Sequence, residues 1–121
     1  MQADSLVLDF DQLKMLSGDD DEFMIEILEM IIDQSPSAVS RMNSLFGSQD
    51  FGTLASAAHQ YKSTVNILGN PEINNLLKDL ENTARDQQNE TLISPLMEQL
   101  RSMCNDILQQ VQGKLTEIQS A

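Results

Sequence analysis

Apolar residues recur along this chain at three- and four-residue spacings from about residue 10 to residue 118, the period of helices that bury one face. The cleanest stripe is Leu54, Ala58, Tyr61, Val65 and Leu68, inside a helix predicted over 50–69 that Asp50 caps and Gly69 closes. Before it, residues 1–5 read as frayed, and Phe10 to Leu16 as a short helix ended by Ser17-Gly18 and placed as a lid. Asp19-Asp20-Asp21-Glu22 then offers a capping aspartate and negative charge over a helix start. Phe23, Ile27, Met30, Ile31, Gln34, Ala38, Met42 and Leu45 carry the stripe of the next segment, which Gly47-Ser48-Gln49 ends. Pro36 sits in its middle, leaving one kinked helix or two; the stripe stays in phase across it.

Asn70-Pro71-Glu72 opens a further helix, asparagine as cap and proline at the first position, with Ile73, Leu76, Leu77, Leu80 and Ala84 inward. A turn over 86–89 leads to a last helix from about Glu90 to Ile118, striped by Leu92, Leu96, Leu100, Met103, Ile107, Val111 and Leu115, with Pro95 marking either a bend or a slightly later start. Connections this short make neighbouring helices antiparallel. The expected fold is all-α: one domain over 1–121, an antiparallel up-down four-helix bundle with a short extra N-terminal helix.

Composition narrows the partners. A formal charge of −12 repels a phosphate backbone, so nucleic acid and anionic membrane surfaces are excluded as natural partners. The single cysteine, Cys104, cannot form an internal disulfide and reads as a small buried hydrophobe beside the last stripe. No apolar run reaches the roughly 20 residues that span a bilayer, and the acidic N-terminus lacks the basic start of a signal peptide, so a cytoplasmic protein is expected; a monomer is the default expectation, with nothing in the sequence fixing the oligomeric state. The acidic run at Asp19 lacks the alternating spacing and glycine of a calcium loop, and no metal or cofactor site is expected on the chain.

The only histidine, His59, falls more than a third of a turn from the centre of its helix's stripe, so it faces outward. Gly52, Ala55, Ser56, Lys62, Ser63 and Asn66 share its side at spacings of three, four and seven. All but Lys62 are short, whereas a merely solvated face carries long charged side chains; the strip reads as a docking surface around a reactive group. A lone histidine on a helix is more often an ordinary surface residue, and the small neighbours are what set this one apart.

The run Ala57-Ala58-His59-Gln60-Tyr61-Lys62-Ser63, with Leu68-Gly69 following, resembles the signature of histidine-containing phosphotransfer domains: small residue, His, any, apolar, Lys, Gly or Ser, then an apolar-Gly pair. Ser63 stands where glycine is commoner, and Asn70 where a small apolar residue is usual. The resemblance implies one long helix through Pro36 and a role for His59 as phosphoryl acceptor and donor through Nε2. It further implies partners: response-regulator receiver domains that bring their own phosphorylated aspartate and Mg²⁺, and a hybrid sensor histidine kinase.

Chemistry agrees with that implication, because a neutral imidazole is a nucleophile near pH 7 and phosphoryl transfer asks mainly for in-line positioning and charge neutralisation. Lys62 is expected to neutralise phosphoryl oxygens, Ser63 or Asn66 to bond an oxygen or orient the ring, and Gly52, Ala55 and Ser56 to leave room for the partner. Methionines in such a bundle mostly fill the core or its rim, but the resemblance implies a receiver packing on the helices that flank the histidine, which places Met24 and Leu28 in an apolar docking rim beside His59. No second catalytic group stands at a matched spacing, so no small-molecule substrate and no independent turnover are expected. The competing reading is an adaptor that docks receivers or kinases without carrying phosphate.

Overall fold

Asp20, Asp50 and Asn70 start three helices by the same chemistry, each side chain accepting the backbone N–H three residues on, from Phe23, Thr53 and Ile73, at 3.2, 3.3 and 2.9 Å. Each such cap contributes about 1 kcal/mol. The computed structural model describes residues 8–18 and 20–120, so the expected fraying of residues 1–5 and any capping by Asp19 lie outside the described residues. The elements are α1 (Asp11–Ser17), α2 (Asp21–Gly47), α3 (Phe51–Val65), a 3-10 turn (Asn66–Leu68), α4 (Pro71–Asp86) and α5 (Glu90–Ser120).

The four long helices pack in a ring, α2 on α3, α3 on α4, α4 on α5 and α5 back on α2. Cross-helix pairs give the directions. The Phe46 and Phe51 rings meet at one end of α2 and α3, and Arg41 reaches Gln60 further along. Asn66, just past the end of α3, meets Asn74 of α4, and His59 of α3 meets Glu81 of α4. On α2 and α5, Asn43 meets Arg101, and Ile32 shares a groove with Gln112. All three pairs run antiparallel, which is the bundle that the apolar spacing predicts.

The lid expectation also holds. Leu13 of α1 is wholly buried, and the Asp9 N–H donates to the Leu68 carbonyl at 2.8 Å, so the N-terminal segment closes over the 3-10 turn. Gly69 follows with φ of +64°, and a Cβ there would stand 3.0 Å from both Cβ and O of Asp9. Only glycine suits both the backbone and the space. Asn70, the departure from the family pattern, is the α4 cap.

Two stripes are rotated from their expected positions. On α2 the buried face is Met24, Leu28, Ile31, Ser35, Val39 and Met42, one residue on from Phe23, Ile27 and Ala38, while Phe23 and Met30 are exposed. The centre of that face is Ser35, a polar residue that a search for bulky apolar side chains steps around. Its Oγ accepts the Tyr61 hydroxyl at 2.9 Å, and Cys104 Sγ lies 3.9 Å from the same hydroxyl, joining α2, α3 and α5 inside the core. On α5 the early stripe is Ile93, Met97 and Cys104 in place of Leu92, Leu96 and Met103. Helix α2 continues through Pro36, as one helix. Among the described residues no helix is long and apolar enough to cross a membrane.

Candidate functional site

The inward stripe of α3 packs as expected: Leu54, Ala58 and Leu68 are fully covered, Tyr61 and Val65 nearly so. That anchoring turns His59 out, with 58% of its side chain exposed. It stands over a groove of about 390 Å³ between α3 and α4, floored by Gly52, Ala55 and Ser56 and walled by Gln60, Glu81 and Arg85. Ala55, expected on the open face, is only 4% exposed, so it forms the floor beneath the ring.

The ring is held from α4. His59 Nδ1 lies 3.2 Å from Glu81 Oε1, and Lys62 Nζ reaches the same oxygen at 3.4 Å. Arg85, one turn on from Glu81, approaches its other oxygen at 3.5 Å while also bonding Asp86 and Asn82. A carboxylate only accepts, so a singly protonated ring places its hydrogen on Nδ1 and leaves the Nε2 lone pair free. No hydrogen-bond partner reaches Nε2 among the described residues. Partial burial works to raise the Glu81 pKa, but the hydrogen bonds from His59 and Lys62 outweigh it, and the carboxyl is held below the ordinary glutamate range.

Ser63 and Asn66 are occupied elsewhere. Ser63 Oγ donates back to the His59 carbonyl at 3.3 Å, and Asn66 Oδ1 accepts from Asn74 at 3.0 Å. The group oriented against the ring is Glu81, which the sequence reading missed. Its signal is faint: four residues past Leu77 and one past Leu80, it sits at an edge of the α4 stripe, but periodicity cannot say which edge borders α3. Met24 and Leu28 require correction, being 6% and 0% exposed. The one-residue rotation of α2 carries them into the core, so neither forms a docking rim.

A four-helix bundle that holds one imidazole by a carboxylate and leaves its other nitrogen open has the make-up of a group carrier. The family described as "Hpt domain" matches residues 26–112, and the chain belongs to this family of histidine phosphotransfer domains of two-component phosphorelays. Its fold is similar to the crystal structure of histidine-containing phosphotransfer protein B (HptB) from Pseudomonas aeruginosa PAO1. The TM-score is 0.82 and the identity 18%, and the match covers 91% of this chain and 95% of that one. A comparison with curated protein sequences found no match.

Proposed function

We propose that His59 is the residue that accepts and donates the phosphoryl group, through Nε2. The observation that carries this reading is the ring itself: exposed, backed by small residues, and held at Nδ1 by Glu81. In the forward step the Nε2 lone pair attacks the phosphorus of a receiver's aspartyl phosphate. The N–P bond forms as the P–O bond breaks, and the electron pair of the broken bond leaves on the aspartate carboxylate. The proton on Nδ1 stays in place, and the positive charge gained by the ring is offset by Glu81. Reversal onto a second receiver returns His59 to its starting state.

Lys62 already sits at the site and turns from Glu81 to the phosphoryl oxygens, and Arg85 on the groove wall is a second cation within the same cluster. Mg²⁺ and the phosphorylated aspartate belong to the receiver, so this chain acts as a carrier that needs no cofactor of its own and turns over no small substrate. Receivers and a sensor kinase are the partners this reading calls for.

Incubation with a phosphorylated receiver domain is expected to label the chain with phosphate that is labile in acid and stable in alkali. His59→Gln is expected to abolish the label; a variant that still takes it up overturns the assignment.

A further inference from the structure

Charge on this molecule is divided unevenly around α3. No acidic residue occurs between Asp50 and Glu72, in a chain that has nineteen. The three clefts flanking α3 are lined by four of the seven cations, Arg41, Lys62, Lys78 and Arg85, but by only two of the acids, Asp33 and Glu81. Everywhere else the chain is strongly negative.

One of those clefts holds no acid at all. It measures about 330 Å³, lies between α3 and α4 next to the His59 groove, and is lined by Lys62, Ser63, Asn66, Asn74, Asn75 and Lys78. Lys78 has no carboxylate partner among the described residues, despite the excess of acid on the chain. The cleft therefore asks for negative charge opposite Lys78, and it opens on the face that a partner arriving at His59 covers. An acidic side chain on that partner supplies it.

We propose that this cleft receives an acidic segment of the docked receiver domain, one turn of α3 beyond the transferring histidine, and selects which receivers the chain serves. The inference rests on the phosphotransfer reading and names the partner chemistry of the same face. Charge matching of this kind acts chiefly on encounter rate and on rejection of wrong partners.

Lys78 is exposed and touches neither His59 nor Glu81 by hydrogen bond, so Lys78→Glu leaves the transfer chemistry intact. The test compares two donors on the full chain: phosphoramidate, which needs no docking, and the receiver that labels the unaltered chain fastest among a purified panel. Lys78→Glu is expected to be labelled by phosphoramidate at the unaltered rate, while transfer from the receiver slows roughly tenfold at low ionic strength and loses part of its salt dependence. Replacing the matching receiver carboxylate by lysine is expected to restore the rate. Unchanged receiver transfer at low salt overturns the inference with the phosphotransfer reading standing. If neither donor labels the unaltered chain, the phosphotransfer reading falls and takes this inference with it.

Discussion

Two polar clusters hang on α3 only two residues apart, and they face opposite ways. Tyr61, with Ser35 and Cys104, ties α2, α3 and α5 together in the interior. His59, with Glu81, Lys62 and Arg85, ties α3 to α4 at the surface. Burial pushes the Tyr61 phenol well above its ordinary range, with Cys104 adding to the shift, and raises the Cys104 thiol too, so both stay neutral. A buried hydroxyl that loses its partner costs about 1–3 kcal/mol, because no water replaces it. The outer ion pairs are partly covered, with Glu81 16% and Lys62 27% exposed, but they border solvent, where such a pair is worth about 0–1 kcal/mol and re-forms with a new partner. The inner cluster fixes how α3 is rotated, and the outer one can exchange partners, as the proposed phosphoryl transfer requires.

The contrast is broken most severely at Tyr61. Tyr61→Ala empties a large core site and is expected to cost about 3–5 kcal/mol in denaturant unfolding. His59→Gln, two residues away, is expected to change stability by less than about 0.5 kcal/mol while removing all phosphate uptake. If the two variants unfold alike, the division between a structural inside and a chemical outside fails.

Glu81→Ala probes the outer cluster by itself. Without a carboxylate against Nδ1 the ring is no longer held in the tautomer that bares Nε2, and labelling by phosphoramidate is expected to slow roughly tenfold, within the range seen when the partner of a working imidazole is removed. A purely structural role for Glu81 predicts no change in the ring. The ¹⁵N shifts of the His59 nitrogens distinguish the two, since Nδ1 protonation is expected to fall in the variant.

Which parts were legible in the sequence follows the same division. The α3 stripe reads correctly because a single apolar residue marks most turns, with alanine and serine between. On α5, apolar pairs stand side by side, Leu92 with Ile93 and Leu96 with Met97, so spacing alone cannot choose the inner member; Leu92 is 48% exposed and Ile93 fully buried. On α2, bulky side chains surround the whole first half, and the inward face is centred on Ser35, whose burial depends on a tyrosine from another helix. Glu81 and Lys78 became visible only when α4 was laid against α3, because helix period gives a buried face but not its neighbours.

Tyr61→Phe sharpens the comparison at smaller scale. It keeps the ring and removes the hydroxyl, leaving Ser35 Oγ without its donor, and is expected to cost about 1 kcal/mol or slightly more. Phosphate uptake at His59 is expected to stay within about twofold of the unaltered rate, because a cost of that size falls on the unfolding equilibrium and leaves the outer cluster in place. Thermal unfolding and labelling on the same sample decide it.

The smallest effect concerns acid. Because the Glu81 carboxyl is held below the ordinary glutamate value of 4.5, the unfolded chain binds its proton more readily than the folded one. The ion-pair contribution is therefore complete above about 4.5 and is lost as pH falls from there through the lower folded value. The other carboxylates obscure this in any single titration, since their protonation also relieves the repulsion of a chain with charge −12. The difference between the unaltered chain and Glu81→Gln cancels most of that background, because acids remote from Glu81 titrate alike in both. The urea midpoint of the unaltered chain is expected to exceed that of the variant by a constant, small margin from pH 7 to about pH 5, with the margin closing below pH 4. A margin that persists at pH 3 means that the carboxyl is still ionised there and the ion pairs across α3 and α4 are stronger than ordinary surface pairs, so the outer cluster is less free to regroup.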